Sequence, residues 1–442
     1  MSRLPTTLLA ALAAAVLIAG CASETYRLMP TPVLYQEPGA VPTLFQRKDV
    51  RSSSTDVDLL YITDRGPETD AESNLPYGQT RAKSIAFGSA RVEIGPGVSW
   101  EILDRESRLA ERTHELNLFL GRVEELGRFP EEPYGIELRA DGALYRDKVD
   151  MEEHEKAAQR LNEEVQRRLA RSPNKEVTLY VHGFNESFAT AAFTAAEMCH
   201  FLGREPVCAF FTWPASRTGD FLTSYSRTTE SAQYAEDHLK QTIRLLATTP
   251  GVERLQLLAH SRGAGLLMRT VRDLFIEAIA AGKEPVKTLR IDNLVLFSPD
   301  IDIDVAEKDI TYGISDPDMF TAWSHERLPR SMGGRLTIYS SPQDQALLVS
   351  RILFRSKNRA GNMRAEDVPM DLQRYLAPLD KFDIIIYEGR RTDAHGHFYF
   401  TTNPRVSSDV IQLLRYGKKA SDPDRALIKV GPIVWKFPPV AE

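Results

Sequence analysis

From Val177 onward, short and nearly continuous apolar runs alternate with stretches of helical period: Val177–Val181, Pro206–Thr212, Arg254–Ala259, Leu294–Ser298, Leu336–Ser340 and Phe382–Tyr387. Runs that are apolar on both faces are what a parallel sheet buried between two helix layers requires. The intervening patterns Ala189–Leu202, Glu230–Ala247 and Gly265–Ile279 are long enough to make right-handed crossovers. The prediction is a doubly wound α/β fold with a mostly parallel sheet. Upstream, Val57–Thr63 and Ile85–Ile94 predict two further strands, broken by Asp64-Arg65-Gly66-Pro67 and Gly95-Pro96-Gly97. The section from Trp100 to Ala170 is charged and helix-friendly. Within it Ala157, Leu161, Val165 and Leu169 recur every four residues, one apolar stripe on a helix. Leu109–Leu126 also reads as helix, less regularly, and Pro130–Pro133 and Asp141-Gly142 read as loop. A helical insertion over about residues 100–170 is therefore expected inside one domain spanning 56–442.

The N-terminus has a different texture. Arg3 precedes an unbroken apolar run, Leu8–Ala19, which suits a secretory signal and is too short to span a bilayer. Leu17-Ile18-Ala19-Gly20-Cys21 resembles the lipobox of bacterial lipoproteins. That resemblance implies a signal peptide over 1–20, cleavage before Cys21, diacylglycerol on its sulfur and stable membrane anchoring. Ala22, where an Asp would favour the inner membrane, points to the outer membrane, facing the periplasm. Residues 22–55, with four prolines and Ser52-Ser53-Ser54, read as the linker from the lipidated cysteine. A formal charge of −6 with interspersed signs shows no nucleic-acid patch and no acidic tail. Cys199 and Cys208 are an even pair in an exported chain, and the sequence leaves open whether they form a disulfide or two buried thiols.

Candidate chemistry centres on Leu257-Leu258-Ala259-His260-Ser261-Arg262-Gly263-Ala264-Gly265, where a buried strand meets a helix. A serine on such a turn needs small residues two before and two after it, and Ala259 and Gly263 meet that need although the first glycine of G-x-S-x-G is absent. Val181-His182-Gly183-Phe184-Asn185 ends an earlier strand and stands where an oxyanion loop is required. The donors would be the amides of Phe184 or Asn185 and of Arg262. An acid and a histidine follow in the order serine, acid, histidine. Asp344 lies after one strand, with Asp300 as the alternative acid after the strand before it, and the histidines lie in Asp393-Ala394-His395-Gly396-His397-Phe398.

Val57-Asp58 through Thr63-Asp64-Arg65, Tyr77-Gly78, Phe87-Gly88, the His182-Gly183 block, Phe211-Thr212-Trp213-Pro214, Ala259-His260-Ser261, Ser298-Pro299-Asp300-Ile301-Asp302, Tyr339-Ser340-Ser341, Asp344-Gln345-Ala346-Leu347 and His397-Phe398-Tyr399-Phe400 together resemble a bacterial family of α/β-hydrolases of unknown function. The resemblance spans roughly residues 56–416 and leaves Trp100 to about Arg146 unmatched. It implies the α/β-hydrolase fold, a serine hydrolase and His397 as the histidine, with His395 a loop neighbour. It supplies no substrate.

Rival chemistry fits less well. Asp300, Asp302 and Asp304 alternate as in a calcium loop, but Val305 and Thr311 stand where glycine and a bidentate glutamate are needed. His395 and His397 lack a supporting zinc-ligand cluster. The expectation is a membrane-anchored carboxylic-ester hydrolase with Ser261 as nucleophile, His397 as base and Asp344 orienting it, with no cofactor, no metal and no nucleic-acid partner. Its partner is an acyl-ester substrate of unknown identity. The alternatives are a non-catalytic envelope lipoprotein that binds a partner or glycan, and an acyltransferase on envelope lipids. The Trp100–Ala170 section is left either as a cap over an acyl pocket or as structural cover.

Overall fold

A computed structural model describes residues 26–36, 44–45, 54–215, 221–315, 334–354 and 358–439. The expected signal peptide over residues 1–20 and Cys21 lie outside the described residues. An 11-stranded sheet runs through the molecule in the order β12-β13-β11-β10-β9-β8-β6-β7-β1-β2-β3. Its strands are β1 (Asp56–Pro67), β2 (Tyr77–Ile94), β3 (Leu118–Arg128), β6 (Glu176–Val181), β7 (Val207–Thr212), β8 (Arg254–His260), β9 (Ile291–Phe297), β10 (Arg335–Ser340), β11 (Phe382–Ile386), β12 (Ile428–Lys429) and β13 (Val434–Lys436). A separate hairpin pairs β4 (Ile136–Leu138) with β5 (Leu144–Arg146). From β1 through β6–β11 to β13 neighbouring strands pair in parallel, and β2, β3 and β12 pair antiparallel at the two edges.

The helices are α1 (Trp100–Glu106), α2 (Lys148–Leu169), α3 (Phe188–Phe201), α4 (Phe221–Thr248), α5 (Arg262–Ala280), α6 (Pro285–Leu289), α7 (Ile303–Ser315), α8 (Gln345–Phe354), α9 (Met370–Leu376), α10 (Tyr399–Thr402) and α11 (Pro404–Leu414). Alternate residues of each central strand feed opposite layers. Leu257 and Ala259 pack with Leu161 of α2, Ala235 and Leu239 of α4 and Leu267 of α5. Leu258 packs with Ala191 and Ala195 of α3 and Val410 of α11. Period-two alternation thus buries both faces of β8, as its continuous apolar run requires. Cys199 in the last turn of α3 and Cys208 in β7 form a disulfide, with Cα atoms 5.9 Å apart.

Three regions depart from the sequence reading. The helix expected over Leu109–Leu126 is absent, and Leu118–Arg128 forms β3, paired antiparallel with β2 from Ile94↔Leu118 to Ala86↔Arg128. Pairing overrides the helix preference of its glutamates and arginine. Gly127 makes this possible, since a Cβ there would sit 2.4 Å from the Phe87 ring. Asp141-Gly142 turns the chain as expected, with Gly142 at φ 79°, and the departure there is the β4–β5 hairpin on either side of it. The 100–170 section is consequently strand, hairpin and two helices, and α2 is cover on the sheet's own helix layer.

The third departure lies within the expected linker. Leu28, Met29, Tyr35, Leu44 and Phe45 are buried. The Leu28 amide donates to the Leu116 carbonyl and the Leu118 amide to that of Tyr26, both at 2.7 Å. Arg112 grips the carbonyls of Leu28 (2.7 Å) and Met29 (2.6 Å), and the Met29 amide donates to Glu197 at 3.0 Å. Prolines give this segment a loop's composition, but its apolar side chains find slots beside α3 and β3. Residues 26–36 are therefore part of the folded body.

Candidate active site

Every parallel strand ends at the same rim, and the reading direction along the sheet reverses between β6 and β8, where crevices form outside strand ends. Ser261 follows β8 directly and caps α5 with φ 52° and ψ −119°, a conformation that non-glycine residues rarely adopt. Backbone bonds hold it there. The Ser261 amide donates to Phe297 O at 2.9 Å, and its carbonyl accepts from the Asp300 amide at 3.0 Å. Close approach accounts for the small residues. A Cβ on Gly263 would lie 2.3 Å from the His182 carbonyl oxygen, and one on Gly183 would lie 2.8 Å from the Ser261 Cβ. Ala259, fully buried, fits where the usual motif has its first glycine.

His397 Nδ1 lies 2.6 Å from Asp344 Oδ2. A carboxylate only accepts, so the proton is on Nδ1 and the Nε2 lone pair is left for another proton. The other Asp344 oxygen accepts the Leu347 amide at 3.0 Å at the start of α8, and the Asn362 side chain holds the Asp344 carbonyl at 3.0 Å. Burial pulls the His397 pKa down, but the Asp344 charge and hydrogen bond outweigh it, with Asp300 and Asp393 adding more, and the net shift is upward. The His397 ring packs 4.5 Å from that of His260, the neighbour of Ser261. His260 Nε2 lies 3.2 Å from the His397 carbonyl, to which it donates. Burial and the nearby His397 keep His260 neutral, its pKa well below the ordinary value.

The alternative acid is engaged elsewhere. Asp300 accepts from Tyr225 and, at 2.6 Å, from Ser350, and pairs with Arg359 at 3.3 Å and Arg262 at 3.8 Å. Asp344 is thus the carboxylate bonded to His397. Asn185 is corrected as an oxyanion donor, because its amide donates to the Ala215 carbonyl at 2.6 Å. Phe184 is the remaining candidate in that loop, paired with Arg262 at the first turn of α5. The Arg262 side chain donates to Thr229 at 2.6 Å and lies 4.2 Å over the Tyr225 ring. His395 is exposed, and its carbonyl accepts the Gln345 amide at 2.8 Å. Asp302 accepts the Asp304 amide at 3.0 Å, a turn contact. Among the described residues, no group of three or more His, Cys, Asp or Glu is placed to hold a metal ion.

Several supporting residues escaped the sequence reading. Asp393 accepts the amides of His395, His397 and Phe398 at 3.0, 3.2 and 3.0 Å and so shapes the histidine loop. Gly396 sits at φ 66°, beside His397. Arg65, fully buried, bonds Thr212 (2.7 Å), the Gly78 carbonyl (3.1 Å), Gln79 (2.8 Å) and the Glu186 carbonyl (2.8 Å), tying β1, β2 and β7 to the His182-Gly183 loop. Burial lowers its pKa only to about 10, so it stays charged. His182 accepts the Trp213 amide at 3.1 Å, and burial and then Arg65 lower its pKa to about 4. It is a neutral strut. Glu186 accepts the Gly183 amide at 3.2 Å, its pKa raised by burial. Thr63-Asp64-Arg65 and His182 carried part of the family resemblance, and that was the available signal.

No curated protein matches the chain. Among solved structures, a predicted CIB-like hydrolase from Thermoplasma acidophilum is 12% identical, with a TM-score of 0.30 over 55% of this chain and 88% of that one. The phospholipase PlaB from Legionella pneumophila, in complex with thio-NAD, is 12% identical with a TM-score of 0.21, over 39% of this chain and 38% of its own. A family model described as an alpha/beta hydrolase of unknown function (DUF900) matches residues 157–416, more than half the chain and the whole Ser261, Asp344 and His397 constellation. The fold is the α/β-hydrolase fold, and the chain belongs to this family of alpha/beta hydrolases of unknown function.

Proposed function

We propose that this protein is a membrane-anchored serine hydrolase acting on carboxylic esters. The observation that carries the reading is Ser261 held at φ 52° on the strand-to-helix turn, with a His397–Asp344 pair at 2.6 Å on the same rim. Ser261 Oγ attacks the acyl carbon while His397 Nε2 takes its proton, and the oxyanion accepts from the amides of Arg262 and Phe184. The imidazolium, steadied by Asp344, passes that proton to the leaving alkoxide. Water then attacks the acyl-serine, giving its proton to His397, and the acid leaves as Ser261 is restored. Anchoring through Cys21 and a place in the bacterial envelope, outer membrane facing the periplasm, complete the reading. The Cys199–Cys208 disulfide supports an oxidising compartment.

The test is fluorophosphonate labelling and turnover of short and long p-nitrophenyl esters, beside Ser261→Ala. Labelling and turnover that both vanish in the variant support the reading. A folded wild-type protein that does neither sinks it and favours a non-catalytic envelope lipoprotein.

A further inference from the structure

The β4–β5 hairpin carries an apolar face that nothing among the described residues covers. Its register pairs Ile136 with Arg146 and Leu138 with Leu144, so these four side chains share one face. Ile136, Leu138 and Leu144 are 68%, 72% and 69% exposed. Val149, in the first turn of α2 just beyond the hairpin, is also mostly exposed. Three adjacent aliphatic side chains this far out of a two-stranded hairpin cost free energy in water and mark a contact surface.

The chain's layout says what covers it. β1 runs parallel to β7, β2 antiparallel to β1 and β3 antiparallel to β2. β3 therefore starts at the end of the sheet remote from Ser261 and finishes at the catalytic rim, where the hairpin follows. Its start is where the Tyr26 carbonyl accepts the Leu118 amide and Arg27 bridges Asn117. Half-exposed Phe119 lies beside that point. Cys21 precedes Tyr26 by five residues, a reach of about 17 Å at most. The 11 residues of β3 extend about 35 Å. A lipid on Cys21 thus keeps one end of this edge strand within that reach of the bilayer, while the exposed hairpin stands at the other.

We propose, on the basis of the Cys21-anchor reading above, that the hairpin's Ile136, Leu138 and Leu144 face inserts into the bilayer surface, so that the β3 edge lies along the membrane with the catalytic rim beside it. Arg146, on the same face, suits the phosphate level, with its stem among the acyl chains. β8 stands five strands from β3, which sets Ser261 about 24 Å from the edge strand. The substrate class that follows is an ester of a membrane lipid, drawn from the surface the hairpin touches.

The test uses the full lipidated chain purified from membranes. Because Cys199 and Cys208 are bonded and the proposed acylation blocks Cys21, Leu144→Cys supplies a single free thiol for an NBD dye. Val430→Cys, exposed near the opposite edge of the sheet, is the control. In phosphatidylethanolamine–phosphatidylglycerol vesicles, the dye at 144 is expected to shift to the blue and lose intensity to nitroxide phospholipids, while the dye at 430 does neither. Mass spectrometry of the N-terminal peptide is read on the same sample. Acylated Cys21 with a dye at 144 that stays in water overturns the docking and leaves the anchor standing. An unacylated Cys21 overturns both. A blue shift that lipid nitroxides do not quench, with crosslinked dimers, overturns it in favour of a second copy.

Discussion

Gly263→Ala tests the geometry of the turn most directly. The new methyl carbon would lie 2.3 Å from the His182 carbonyl oxygen and 2.9 Å from that of Val181. Carbon–oxygen contacts ordinarily begin near 3.3 Å, so the shortfall is about 1 Å. Both obstacles are backbone of β6 and its loop, which cannot rotate away as a side chain would. The start of α5 must therefore back off, taking the Ser261 hydroxyl and the Arg262 amide with it. Overpacking of this kind costs about 1–3 kcal/mol, and a displacement near 1 Å at reacting groups costs about 100-fold in rate. Gly265→Ala is the matched control, two residues on in the same helix. Its Cβ would meet Arg269 at 3.5 Å and Ile301 at 3.6 Å, ordinary contacts, and the change adds about 0.5–1 kcal/mol through helix propensity. The assay is kcat/KM on a p-nitrophenyl ester together with Tm. Gly263→Ala is expected to lower both, and Gly265→Ala to raise Tm with activity retained. A Gly263→Ala protein as stable and active as the parent would refute the reasoning. So would a Gly265→Ala protein equally damaged.

Three other outcomes follow from the site and its scaffold. Asp344→Asn leaves the imidazole without its tautomer-fixing acceptor and is expected to lower kcat by about 10⁴ with little change in Tm, whereas Asp300→Asn, breaking a buried carboxylate network, is expected chiefly to lower Tm; the reverse pattern would exchange their roles. The raised His397 pKa places the acid limb of kcat/KM above the ordinary histidine value of 6.5, with activity lost as pH falls through it. In Asp344→Asn only burial and weaker neighbours remain, so the residual activity should show that limb moved to lower pH, which a pH–rate profile reads. The pairing also adds stability that is complete below about pH 6.5 and lost as pH rises through the folded value. Reducing the Cys199–Cys208 bond, which closes a loop of sequence separation 9, should cost about 2.5 kcal/mol and lower Tm while leaving esterase activity at 25 °C, because the bond is at the end of the sheet remote from Ser261.

The sequence was most legible where one physical demand fixes the pattern. Buried parallel strands must be apolar on both faces, so β6 to β11 stood out within a few residues of their bounds. The Ser261 turn was legible because steric crowding demands small residues at 259 and 263, and chain order separated Asp344 and His397 from most other polar residues. Edge elements were not legible. β3 has one neighbour, and its exposed face carries Arg122 and Glu124, which read as helix. β12 and β13 are short and went unread. Nothing local marked the amide of Asn185 as engaged, because its bond to Ala215 joins residues 30 apart in sequence. Asp300 lost its candidacy to Tyr225 on α4, Ser350 on α8 and Arg359 in the loop beyond α8, partners that no local spacing predicts.

The clasped N-terminal segment also sets an order of events in folding. Its first described residues bond to Arg112, Leu116 and Leu118, then to Glu197 across a separation of 168 residues. The Leu34 amide waits for Ser408, 374 residues on, and the Tyr35 hydroxyl for Arg415, 380 residues on. Of the described residues, the first to be made complete their contacts only once residue 415 exists. Contacts of such long range close slowly, since a large loop must be ordered before they form. For a chain proposed to be exported, that delay leaves the segment only partly fastened until residues 408–415 are made, which favours the reading and cleavage of a leader before the fold closes on the residues beside it.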